Sequence, residues 1–61
     1  MPNPILNFFT YDHLPANLQE VAKPIALAAQ IMEEALLDSA EKSAGLRKLL
    51  EAKDCFVRAK L

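Results

Sequence analysis

The apolar positions of this chain fall into two helical runs preceded by a segment without helical periodicity. The first run centres on Pro24-Ile25-Ala26-Leu27-Ala28-Ala29-Gln30-Ile31-Met32, in which Gln30 is the only polar side chain. At helical spacing Ile25, Ala28, Ala29 and Met32 share one face, and Leu27 and Ile31 lie on another. A surface helix of a small monomer needs one apolar stripe; a helix apolar nearly all round is covered on several sides. Leu18, Val21 and Ala22 extend the stripe backwards, which predicts a first helix over about residues 16–37, with Pro15 suited to its first turn. Pro24 removes one intrahelical hydrogen bond and crowds the preceding turn. The helix is therefore expected either to kink near Glu20–Lys23 or to divide into pieces 16–22 and 24–37.

The second run, Leu46, Leu49, Leu50, Phe56 and Val57, predicts a helix over about residues 40–60. Lys53 interrupts its stripe, and a snorkelling stem is the simplest account. Gly45 within a helix costs about 1 kcal/mol relative to Ala, so a close approach by another backbone or a flat ligand is expected there. Cys55 reads as a small core residue. The link Leu37-Asp38-Ser39-Ala40 is short enough to force an antiparallel αα-hairpin. Asp38 with Glu41 forms a capping-box pattern, and Ser39 is the competing N-cap. Residues 1–15, punctuated by Pro2, Pro4 and Pro15, read as an extended arm carrying Ile5, Leu6, Phe8, Phe9, Tyr11 and Leu14. The expected fold class is all-α: one helical-hairpin domain over residues 1–61 with an extended aromatic N-terminal arm.

Length sharpens this picture. A chain of 61 residues is marginal as a lone domain, and small domains are usually completed by disulfides, a metal or oligomerisation. One cysteine forms no internal disulfide, and a single His with a single Cys makes no zinc site. A helical homo-oligomer is the remaining remedy. A lone thiol and the lack of a signal-peptide pattern point to a reducing, cytoplasmic setting. No membrane span is expected, because the longest apolar stretch, residues 24–37, is broken by Gln30, Glu33 and Glu34.

The net charge of −1 conceals an asymmetry: residues 1–38 sum to −4 and residues 39–61 to +3. The C-terminal half suits an anionic ligand, while the total is too acidic for a general DNA-coating protein, so no DNA partner is expected. There is no P-loop, GxGxxG, HExxH, CxxC or serine elbow. Glu33 and Glu34 are neighbours and point about 100° apart on a helix, so they cannot act on one substrate. Binding without turnover is the expected class, with no catalytic residue, metal or cofactor. Tyr11 can stack on a flat base, and Lys23, the only cation in the first 41 residues, can meet a phosphate or simply pair with Glu20. A helical adaptor using its apolar faces, and a small nucleic-acid regulator reading through Arg47, Lys48 and Arg58, are the competing classes.

Two segments carry a resemblance. They are the arm Phe9-Thr10-Tyr11-Asp12-His13-Leu14-Pro15 and the stretch Ser39-Ala40-Glu41-Lys42-Ser43-Ala44-Gly45-Leu46-Arg47-Lys48-Leu49-Leu50-Glu51-Ala52-Lys53. With the Lys23-bearing helix between them, the chain over about residues 8–60 resembles the phage helical-hairpin family shared by anti-CBASS and anti-Thoeris nucleotide sponges. The resemblance implies a compact homo-oligomer, typically a hexamer, in the cytoplasm of an infected bacterial host. It implies capture, without cleavage, of cyclic di- or trinucleotide immune messengers, or in some members of cyclic ADP-ribose isomers. By motif match Tyr11 resembles the stacking tyrosine, Lys23 the basic residue of the first helix and Arg58 the basic position near the C-terminus. His13 and Lys53 stand within the matching segments and complete the expected ligand set.

Overall fold

A computed structural model of the chain describes residues 4–61; the first three positions of the expected arm lie outside the described residues. Two long helices, α1 (Ala16–Ala35) and α2 (Ala40–Lys60), pack on one another and are preceded by a 3-10 helix, Pro4–Phe9. No residue among those described is in a strand. The four-residue link 36–39 turns the chain back on itself. Glu20, Val21 and Pro24 near the start of α1 consequently share a groove with Phe56, Ala59 and Lys60 at the end of α2, as an antiparallel hairpin requires.

The leading segment departs from expectation. Residues 4–9 are not extended but coil into a 3-10 helix, and Phe9 is only 3% exposed. Burial explains the difference: Phe9 joins Ala29 and Leu46 in the core, with Ile5 and Leu6 packed against that cluster. In a 3-10 helix side chains three residues apart eclipse, so Leu6 and Phe9 share one side of this short segment. Proline marked the lack of an α-helix here but not the coil that replaced it. Phe8 is exposed.

Helix α1 runs unbroken through Pro24 and ends at Ala35, two residues short of the expected limit. Pro24 and Glu20, whose carbonyl would have received the missing N–H, are both exposed, so water can take the place of the lost hydrogen bond. Helix α2 matches its expected span. Ser39 is its N-cap, its hydroxyl accepting from the Lys42 N–H at 3.0 Å, and Asp38 is therefore not the cap. Cys55 is exposed rather than a core residue, and Phe56 beside it is half exposed. A Cβ built on Gly45 would meet nothing within 4 Å, so no close approach within the chain explains that glycine.

The hinge between the helices is held by one charged side chain. Lys42 is buried; its ammonium donates to the Leu36 carbonyl at 2.8 Å, the Glu33 carbonyl at 3.1 Å and Asp38 Oδ1 at 3.0 Å, and pairs with the Glu33 carboxylate. A lysine in the first turn of α2 opposes that helix's own dipole, but here it sits at the carbonyl end of α1, where a cation is favoured. The hydrogen bond with Glu33 raises the Lys42 pKa above its usual 10.5, against the pull of burial, and Asp38 adds to the rise. The hydrogen bond and charge of Lys42 lower the Asp38 pKa below its usual 3.8. The signs fix two limbs of the stability curve. A lowered carboxyl stabilises above its unfolded value and loses that contribution as pH falls through the folded one; a raised ammonium stabilises below its unfolded value and loses it as pH rises through the folded one. Thermal melting followed by circular dichroism should therefore fall below about pH 3.8 and above about pH 10.5, with Asp38→Asn flattening the acid limb.

Candidate functional site

The first helix starts without a side-chain cap, because its N-cap position is Pro15. The segment in front of it is a turn, with the Leu14 N–H donating to the Tyr11 carbonyl at 3.0 Å. Gln19, in the first turn and a half of α1, reaches back to this turn. Its side-chain amide donates to the Leu14 carbonyl at 2.8 Å and, more weakly, to the Asp12 carbonyl at 3.4 Å. The turn places Tyr11 half-buried at an open groove of about 250 Å³, walled by Phe9 and Leu6 on one side and by Ala26, Leu27 and Gln30 of α1 on the other.

Lys23 is exposed on α1, three and four residues before Ala26 and Leu27 of the groove wall, and so on the adjoining turn of the same face. No ion pair between Lys23 and Glu20 is formed among the described residues. His13 is exposed in the turn. Asp12 also borders the groove, and its carboxylate favours amino and imino groups of a base edge over phosphate.

The remaining expected ligands stand elsewhere. Lys53 and Arg58 lie on α2 and do not line the Tyr11 groove. The Lys53 ammonium pairs with its neighbour Asp54 at 3.0 Å. The Arg58 guanidinium donates to Cys55 Sγ at 3.3 Å, one turn back on the exposed side of α2. Within one chain, then, Tyr11 lines the groove, Lys23 stands one helical turn from its wall, His13 is two residues from Tyr11 in sequence, and the α2 cations are not added.

A larger, mainly apolar groove of about 420 Å³ lies beside the hinge, between Met32, Leu36 and Leu37 of one arm and Gly45, Leu46 and Leu49 of the other. Its polar lining is Ser39, Glu41 and Lys42, and the Lys42 ammonium already shares its protons among four oxygens and is not available to a ligand. Among the described residues no three His, Cys, Asp or Glu side chains come together as a metal site, and no helix is long and apolar enough to cross a membrane.

Two residues that shape the site escaped the periodicity argument. For Gln19 the available signal was the proline cap: a helix start without a capping oxygen invites another side chain to organise the preceding turn. For Lys42 it was a cation in the first turn of a helix, where the dipole disfavours it. Compared with models of known families, with curated proteins and with solved structures, the chain matches none.

Proposed function

We propose that this protein is a sponge: it binds cyclic di- or trinucleotide messengers between copies of itself and holds them without cleavage, in the cytoplasm of a phage-infected bacterium. The observation that carries the reading is the half-buried Tyr11 ring on an open groove, with the exposed Lys23 one turn along the helix that walls it. Both halves of a cyclic dinucleotide find a partner there, a base for the ring and a phosphate for the ammonium. A twofold interface would present the pair twice to a ligand that is itself twofold. It would also bring in the α2 cations of a neighbouring copy, Lys53 or Arg58, which one chain alone keeps away from the groove.

The decisive measurement is a thermal-shift series with a panel of cyclic di- and trinucleotides and cyclic ADP-ribose isomers, followed by recovery of the bound molecule after heating. A ligand that binds only the assembled native state raises the melting midpoint with its concentration. At least one messenger should do so and be recovered intact. Stacking contributes roughly 1–3 kcal/mol per base, so Tyr11→Ala should weaken capture by about 5- to 150-fold. Lys23→Ala should weaken it by a similar factor, since hydrogen bonds to charged groups contribute about 1.5–3 kcal/mol. If no cyclic nucleotide moves the melting curve, the sponge reading fails.

A specific observation also favours a second reading. The outer face of α1 exposes Leu27 and Ile31, which suits a helical adaptor. An adaptor would keep its partner in both Tyr11→Ala and Lys23→Ala.

A further inference from the structure

We propose that Gln19 is a positioning residue for Tyr11: its amide latches the 11–14 turn to helix α1 and thereby sets the angle at which the Tyr11 ring faces its groove. Four observations converge on this. The helix start has no side-chain cap of its own. The turn is closed by a single backbone hydrogen bond, Leu14 N–H to Tyr11 carbonyl. Gln19 is partly buried against it and satisfies the Leu14 carbonyl at 2.8 Å, with a weaker contact to the Asp12 carbonyl on the other side of His13. Finally, Tyr11, Asp12 and the α1 residues Ala26, Leu27 and Gln30 border the same groove, so a rotation of the turn changes the groove's shape. Gln19 itself does not line the groove; it acts through the backbone on both sides of His13.

The mechanism is one of preorganisation. A stacking ring contributes its full contact only if it is held at the right tilt before the ligand arrives; a ring on a loose turn must be ordered at binding, and that ordering is subtracted from affinity. A primary amide is suited to the latch because it carries two donors and can address two carbonyls. Glutamate at the same position has the same length but, ionised, only acceptors, and it would repel the carbonyl it replaces a bond to.

The chain contains one tyrosine and no tryptophan, so fluorescence excited on the long-wavelength side of phenylalanine absorption reports Tyr11 alone. In the full-length protein without ligand, Gln19→Ala and Gln19→Glu should leave the helical circular dichroism in place. Collisional quenching of Tyr11 by acrylamide should rise by roughly twofold, as a half-buried ring becomes free to turn outward. In the unaltered protein, the Gln19 side-chain amide protons should exchange with water more slowly than those of Asn17, an exposed primary amide away from the groove that serves as the internal reference. A cyclic dinucleotide that stabilises the protein should bind the variants about 3- to 10-fold more weakly, the range of one lost neutral hydrogen bond.

Only this last readout rests on the sponge reading; the first two are independent of any ligand. If the Gln19 and Asn17 amides exchange alike, or if quenching is unchanged in folded variants, the latch is overturned and the sponge reading stands. If the latch readouts behave as expected and no nucleotide binds, the latch stands and the sponge reading falls. Because the exchange measurement uses the unaltered chain, a variant that fails to fold does not shelter the proposal.

Discussion

In the homo-oligomer proposed above, Ile31→Glu should separate the copies into monomers and abolish ligand capture. The reason is written on both sides of α1. Its inner face buries Leu18, Ala22 and Ala29. Its outer face leaves Leu27 52% and Ile31 58% exposed, one helical turn apart. The single chain exposes 4430 Å², whereas a compact monomer of 6.8 kDa is expected to expose about 3,950 Å². The surplus belongs to an elongated hairpin, 34 Å by 17 Å by 15 Å, with large apolar side chains on its outside. Burying a leucine or isoleucine contributes about 1.5–3 kcal/mol, and a twofold contact counts each such residue twice. A carboxylate in that seam would instead have to leave water without a partner. Sedimentation velocity at micromolar concentration would read the change directly, with Leu27→Met, which keeps volume and polarity, retaining the parent mass. An Ile31→Glu protein of unchanged mass would place the assembly on another face and remove the groove-sharing geometry from the sponge reading. A wild-type chain that is a well-folded monomer would remove it altogether.

What could be read from sequence, and what could not, divides along the range of the interactions involved. The two helices and their turn follow from local periodicity: Ile25 and Ala29 recur on one face of the first helix, and Leu46, Leu49 and Leu50 on the second. The four-residue link allowed little but an antiparallel return. The coil of Pro4–Phe9 was not legible, because it is fixed by Phe9 finding Ala29 and Leu46, residues distant in sequence. Pro24 does not divide the helix: α1 continues through it, and the Glu20 carbonyl left without a partner N–H lies on an exposed residue, which is a tertiary fact. Cys55 was misplaced for a similar reason, since the face it occupies is turned away from α1. At the candidate site Tyr11 and Lys23 could be picked out by residue type. The groove that Tyr11 lines is bordered by the turn at 11–14, and the contact of Gln19 with that turn is visible only as a distance.

The second large effect concerns the hinge. Lys42→Met should lower the melting midpoint far more than Lys53→Met, although both remove one cation from the same helix. Lys53 pairs with its neighbour Asp54, whose side chain is 47% exposed, and pairs of that kind contribute at most about 1 kcal/mol. Lys42 is the common donor to two carbonyls at the end of α1 and to two carboxylates, with its side chain 3% exposed and that of Glu33 10% exposed. Methionine keeps the length and much of the volume of lysine but supplies no proton. The Glu33 carboxylate is then left partly buried without its cation, and the α1 carbonyls lose their charged cap. Breaking one side of a buried pair is strongly destabilising, whereas replacing both sides by apolar groups of similar shape is often neutral. The double variant Lys42→Met, Glu33→Leu should accordingly recover part of the loss, which a purely volumetric effect would not do. The effect also bears on function. The hinge sets how α1 and α2 meet, and α1 walls the Tyr11 groove at Ala26 and Leu27, so Lys42→Met should weaken ligand capture without touching the ligand. If Lys42→Met and Lys53→Met melt alike, the hairpin is closed by the Phe9, Ala29 and Leu46 cluster alone, and the ammonium at the hinge is incidental to it.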